Sequence, residues 1–165
     1  MTEGSAVPYA RRSYLTLFQA AAGLVGVRVQ YSPITDFDQA LGDNGDVECI
    51  YWGDASSQTG LRGMRATTHT KYREEATSEL TVMVAAREAD QSFADVESRA
   101  AELLGEVIRI IQSNSGLASP GSHLHGIACW VDGYQLTAGR LASAGVPVYA
   151  ASYLITVHIQ ANVEQ

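Results

Sequence analysis

The hydrophobic positions of this chain are clearest between residues 77 and 112. In 77–86, Leu80, Val82 and Val84 share one side of an alternating run, with Thr81, Met83 and Ala85 on the other, which predicts a strand with one core-facing side. Over 92–112 the period changes. Phe93, Val96, Ala100, Leu103, Leu104, Val107, Ile108 and Ile111 fall on one helical stripe, with Asp95, Arg99, Glu102, Glu106 and Arg109 on the rest. Ser92 is placed to cap this helix, with Asp95 in its first turn, and Asn114, Gly116 and Pro120 stop it. At 1.5 Å per residue it spans about 30 Å, enough to cross one face of a sheet.

The same reading extends to both ends. Residues 1–11 are expected as an extended arm, because Pro8 biases Val7 away from helical dihedrals. A helix follows from Ser13, with Leu15, Phe18, Ala22 and Val25 as its apolar face, weakened and ended by Gly23 and Gly26. Val27, Val29 and Tyr31 alternate as a half-buried strand, and 48–52 form a second short one. Between them, 34–46 carries Asp36, Asp38, Asp43 and Asp46 and reads as an acidic surface loop. Residues 53–73 read as a long loop, glycine-rich and turn-rich at 53–63, while 64–73 alternate weakly and suit a surface strand or arm.

Beyond the long helix, 124–132 alternates as a strand. Asp132-Gly133 either turns the chain or the strand continues through a bulge into 136–141. Residues 146–163 alternate for an unusual length, placing Tyr149, Ala151, Tyr153, Ile155, Val157, Ile159, Ala161 and Val163 on one face. Such a strand belongs at or near a sheet centre. The expected fold is α+β: an antiparallel or mixed sheet of four to five strands, with the long amphipathic helix and the N-terminal helix packed on one face. No repeat or linker divides residues 1–165, so one domain is expected.

Composition narrows function mainly by exclusion. The 165 residues are 46% hydrophobic and 18% charged, as in globular chains. The net charge of −7 repels phosphate, which disfavours wrapping or sequence-specific contact with nucleic acid. Cys49 and Cys129 are too few for a disulfide framework or a thiolate metal site, and read as buried small hydrophobes. The first residues lack the cationic start, apolar run and cleavage site of a leader, and no apolar stretch is long enough to span a bilayer. A soluble, intracellular chain with no membrane contact is the expectation.

Candidate chemistry is sparse. Phosphate-loop, dinucleotide, zinc-protease and nucleophile-elbow motifs are all missing from the sequence. His123 and His125 share a strand face, but no carboxylate or cysteine lies nearby in sequence to complete a metal site. Glu75 and Glu79 share a face roughly 13 Å apart, too far for a glycosidase-type pair. The aspartates of 36–46 lack calcium-loop spacing. No catalytic residue, cofactor or metal is expected, and the chain is read as a non-enzyme.

What remains is a set of extended, weakly hydrophobic segments: 1–11, 53–73 and 133–145. A ring or stack of copies can bury such arms between subunits, whereas mobile loops are the alternative. Tyr9, Tyr14, Tyr51, Trp52 and Tyr72 lie near them as candidate interface anchors.

The segment from Lys71 to Leu117 resembles the tail terminator (tail-completion, minor tail) proteins of long-tailed bacteriophages. The matching parts are the lead-in Arg73-Glu74-Glu75, the strand 77–86, the acidic link 88–91, the helix 92–112 and the closing strands. Together they cover roughly 120 of the 165 residues as a pattern rather than an invariant motif. The resemblance implies a homohexameric ring that caps the tail tube, stops its elongation and offers the surface for head joining. Its partners would be copies of itself, the tail tube protein and a head-completion or neck protein, with DNA passing through the lumen without specific binding. Its location would be the head-proximal end of the virion tail, after assembly in the host cytoplasm. It also implies interface roles for Arg73, Glu74, Glu75, Arg62 and Arg65, to which Tyr9, Arg11 and Arg12 are added from the N-terminal arm. The long 133–145 stretch and the glycine-rich loop depart from the plainest members and leave open a head–tail connector role. The remaining alternative is a small ligand-binding or enzymatic domain with a pocket around His125, His158 and Cys129.

Overall fold

A computed structural model of the chain describes residues 5–61, 71–143 and 145–164. It is built on one six-stranded mixed sheet in the order β1-β2-β3-β6-β5-β4. The strands are β1 (Arg28–Gln30), β2 (Asp46–Leu61), β3 (Lys71–Arg87), β4 (Gly116–Leu117), β5 (Leu124–Ser143) and β6 (Val146–Glu164). β1 runs parallel to β2, and every other neighbouring pair is antiparallel. The α+β class and the mixed sheet agree with the sequence reading. Six strands replace the four to five expected, the addition being β4, which is only two residues long and too short to show a pattern.

The long helix, here α3 (Phe93–Ser113), forms where its pattern placed it. The Ser92 hydroxyl accepts from the Asp95 N–H at 3.2 Å and donates to the Asp95 carboxylate at 2.6 Å, closing the first turn. Val96, Ala100, Leu103, Leu104, Val107, Ile110 and Ile111 are buried against the sheet. Ile110 takes the buried position that the sequence stripe gave to Ile108, which is only partly covered. β6 lies between β3 and β5, and its Ala151, Ile155, Val157, Ile159, Ala161 and Val163 carry the centre of the core, as its alternation required.

The N-terminal arm is corrected. α1 (Ala6–Ala20) starts five residues inside the segment expected to be extended. Ser5 caps it, accepting from the Val7 N–H at 3.3 Å. Pro8 falls in the first turn, where a missing N–H costs nothing because that donor has no helical acceptor. The earlier start rotates the buried stripe to Ala6, Val7, Ala10, Tyr14 and Phe18. Val25, expected on the helix's apolar face, lies beyond a 3₁₀ turn at Ala22–Leu24 and is 79% exposed.

The acidic loop is corrected too. Residues Phe37–Asn44 form α2, closed by Gly45 in the left-handed region (φ 78°), whose N–H reaches Leu41 O at 2.8 Å. Phe37, Ala40 and Leu41 give it a short apolar stripe that packs on Val47, Cys49, Ala85 and Val148. These are the sheet positions that alternate with the main core. α2 therefore covers the sheet face opposite α1 and α3, at one end only.

The long loop is corrected over 53–61, whereas 71–73 join a strand, in line with the weak alternation of 64–73. Residues 53–61 continue β2 and 71–73 open β3, with Ala55–Leu61 paired to Tyr72–Ser78. Backbone pairing needs no apolar side chain, so the polar composition of 53–61 concealed a strand. Of the two readings of Asp132-Gly133, the bulge is the one adopted: register shifts between Val131 and Gly133, and β5 then pairs with β6 as far as Ser143.

Candidate assembly surface

The two long outer strands of the sheet are each half covered. β5 pairs with β6 along its length, but on its other side β4 meets only Ile127 and Ala128, and the Cys129 N–H donates to Ser115 O at 2.7 Å. From Trp130 to Ser143 no described residue pairs with that outer edge. On the opposite side of the sheet, β1 covers β2 only at Cys49–Tyr51, and no described residue pairs with the outer edge of 53–61.

Neither edge carries the usual guards. Natural edge strands are protected by prolines, by closely spaced charges or by covering segments. Residues 130–143 contain no proline and only Asp132 and Arg140 as charges. Arg140 is turned back into an ion pair with Glu88 at 2.7 Å. Tyr134 is 58%, Leu136 45% and Leu141 52% exposed there. Residues 53–61 contain no proline and one charge, Asp54.

The start of the β2 edge is built by Arg11. A bulge between Trp52 and Ala55 turns carbonyls out of the ladder. The Arg11 guanidinium donates to Gly53 O at 2.6 Å, Asp54 O at 3.0 Å and the Ser78 hydroxyl at 2.8 Å. It also lies over the Trp52 ring at 5.5 Å and the Tyr31 ring at 5.9 Å. Trp52 returns a bond from Nε1 to Arg11 O at 3.2 Å. Arg11 is thus a scaffold for the bulge rather than a free cation.

Other residues singled out from sequence divide sharply. Glu74 is 1% exposed, and its carboxylate accepts from the Ser5 hydroxyl and from the Ala6 N–H, both at 2.6 Å. It neutralises the positive end of α1 inside its own chain, so it is not available as an interface side chain. Its neighbours point to the other face, where Arg73 and Glu75 form an ion pair at 2.8 Å. Tyr9 is half-buried and donates to Ala118 O at 2.6 Å. Arg12 lies exposed on α1. Arg62 and Arg65 lie outside the described residues. Sequence reasoning reached both edges as segments, 53–73 and 133–145, through their weak hydrophobicity, but singled out no individual residue of β5's edge.

The chemical alternatives do not converge. Cys129 is buried on the helix-covered face, whereas His158 sits on the other face, stacked on Trp130 with centroids 4.3 Å apart. His125 Nε2 lies 3.1 Å from a Glu164 carboxylate oxygen, and His123 Nδ1 lies 3.1 Å from Glu164 O. Among the described residues, no group of three or more histidines, cysteines or acidic residues is placed to hold a metal. A cavity of about 460 Å³ is lined by Gly26, Arg28, Ala40, Asp46, Val47 and Glu48. Its Arg28 is paired to Asp36 at 3.0 Å, and its Glu48 receives two bonds from Arg99 at 2.8 and 3.0 Å. Burial raises the Cys49 thiol to about 12, against a smaller lowering by Arg28. It raises the Cys129 thiol to about 11, partly offset by the neighbouring Tyr14 hydroxyl. Both thiols are therefore unreactive near neutral pH. No helix is long and apolar enough to cross a membrane among the described residues.

No protein-family model matches the chain, and no curated protein matches it closely enough to count as a relative.

Proposed function

We propose that this chain is a structural subunit that assembles with copies of itself into a ring. In this reading the ring is of the kind that caps the tail tube of long-tailed phages, ends tube growth and provides the head-joining surface. The observation that supports assembly is the pair of unguarded edges on opposite sides of one sheet. Two different edges favour head-to-tail contact, and head-to-tail contacts that rotate consistently close into rings. The pattern of residues 71–117 supports the tail role, and the chain's negative charge suits a lumen that lets DNA pass without holding it. The chain performs no catalysis in this reading.

The magnitudes fit a subunit that waits for a template. Joining about seven residues of edge adds about seven backbone bonds. At about 0.5–1.5 kcal/mol each these contribute roughly 4–10 kcal/mol, against an association cost of about 4–15 kcal/mol. One contact is therefore marginal, whereas ring closure gives each subunit two. Light scattering of the purified chain, alone and mixed with tail tube protein, tests the proposal. A discrete ring mass is expected under at least one condition, and a chain that stays monomeric in both refutes it. Electron microscopy of tails assembled without the chain should show overlong tubes and unattached heads.

A further inference from the structure

We infer that the ring contact joins the outer edge of β2 in one copy, residues 55–61, to the outer edge of β5 in the next, residues 130–143, with the copies displaced along the strands. This inference rests on the ring reading and specifies its contact. The two edges are free at opposite ends of the sheet. With β6 as a common ruler, the free part of β5 lies opposite residues 146–158. The free part of β2 lies, through β3, level with Val157–Val163. Placing one edge on the other therefore displaces neighbouring copies by about seven or eight residues, roughly 25 Å at about 3.4 Å per residue.

That displacement sets the strand tilt of a closed ring. The four long strands β2, β3, β6 and β5 make a sheet about 19 Å wide at about 4.8 Å per strand. For copies to sit level around a ring with this offset, the strands must lean from the ring axis by about 53°, steeper than the 35–45° of closed barrels. A flat, untilted array would instead leave half of each edge unpaired. The occupant of each edge is a second copy, because one contact covers both unguarded edges at once.

Strand direction and face restrict the register. Along β2, β3, β6 and β5 the chain alternates direction, so the next copy's β2 lies antiparallel to β5. Ser56 and Gln58 face the same side of the sheet as Gln135 and Thr137, by their pairing with Thr77, Glu75, Leu154 and Ser152. Aligning the centres of the two free edges brings Gln58 opposite Thr137, and sliding by two residues brings Gln58 opposite Gln135 and Ser56 opposite Thr137.

The test is disulfide trapping in the full chain with four double variants, combining Ser56→Cys or Gln58→Cys with Gln135→Cys or Thr137→Cys. These span the central register, Gln58 with Thr137, and the next two same-face registers on one side of it. The native Cys49 and Cys129 are buried and stay silent. Under mild oxidation, with tube protein added if assembly needs it, at least one double variant should give a ladder ending in a closed ring. Its yield should be at least tenfold above that of either parent single variant. Single variants that cross-link as well as the doubles would show like edges meeting and overturn the pairing. A ring seen by light scattering with no ladder in any double variant overturns this inference and leaves the ring reading standing. If the unmodified chain forms no ring under either condition, both fall together.

Discussion

Replacing Glu74 with alanine separates two roles that its sequence position allowed, a subunit contact or an internal lock. The carboxylate is 1% exposed and receives two bonds of 2.6 Å, one from the Ala6 N–H and one from the Ser5 hydroxyl, at the start of α1. Hydrogen bonds to charged groups contribute about 1.5–3 kcal/mol each, and a negative group at a helix N-terminus adds about 0.3–1 kcal/mol. Relief of the carboxylate's own desolvation offsets part of this. The net expected loss is about 3 kcal/mol for Glu74→Ala, because the Ala6 N–H is then buried without an acceptor. Glu74→Gln keeps one acceptor oxygen and is expected to lose about 1–2 kcal/mol. Urea unfolding followed by circular dichroism reads this as a lower midpoint at unchanged m, a shift of about 1–3 M for the alanine variant. Amide exchange should quicken first at residues 6–10, where α1 loses its anchor. Ring assembly of the folded glutamine variant should match the parent. A stability change under about 0.5 kcal/mol, or loss of assembly at unchanged stability, refutes the internal lock.

Three further outcomes follow from the packing and the edges. Leu103→Ala empties a site 1% exposed under α3 and should cost about 2–5 kcal/mol by the same unfolding assay. Leu136→Lys places a charge on the open β5 edge at a residue 45% exposed. The midpoint should move by less than about 0.5 kcal/mol while assembly, read by light scattering, is lost. The two thiols make stability fall at alkaline pH. Their folded values, about 12 for Cys49 and about 11 for Cys129, lie above the ordinary 9.0. Their contribution is therefore complete below about pH 9 and lost as pH rises toward 11–12, by up to about 1.4 kcal/mol per unit per thiol. A thiol reagent at pH 8 should label neither cysteine until denaturant is added.

The elements legible from sequence were those whose own side chains repeat with a clear period and bury a full face. α3, the apolar half of β3 and the whole of β6 appear within a residue or two of their expected bounds. Their burial depends on spacing within one segment, which is a local property. α2 shows the limit of that reasoning. Phe37, Ala40 and Leu41 repeat correctly, but three apolar positions among so many aspartates formed no visible stripe until Val47, Cys49 and Val148 were seen to receive them.

What the tertiary structure alone decided concerns polar residues and backbone. The early start of α1 depends on Glu74, 69 positions from Ser5, to hold its first N–H. Residues 53–61 and 133–143 became strands because β3 and β6 offered unpaired backbone beside them, whatever their side chains. Whether an edge is open is a relation between strands far apart in the chain, set by how short β1 and β4 are. No residue pattern encodes it. The sequence by itself determined which faces are buried within the subunit. The assembled sheet alone decided which edges are left unpaired, because hydrogen-bonding capacity is carried identically by nearly every residue and becomes informative only where pairing stops.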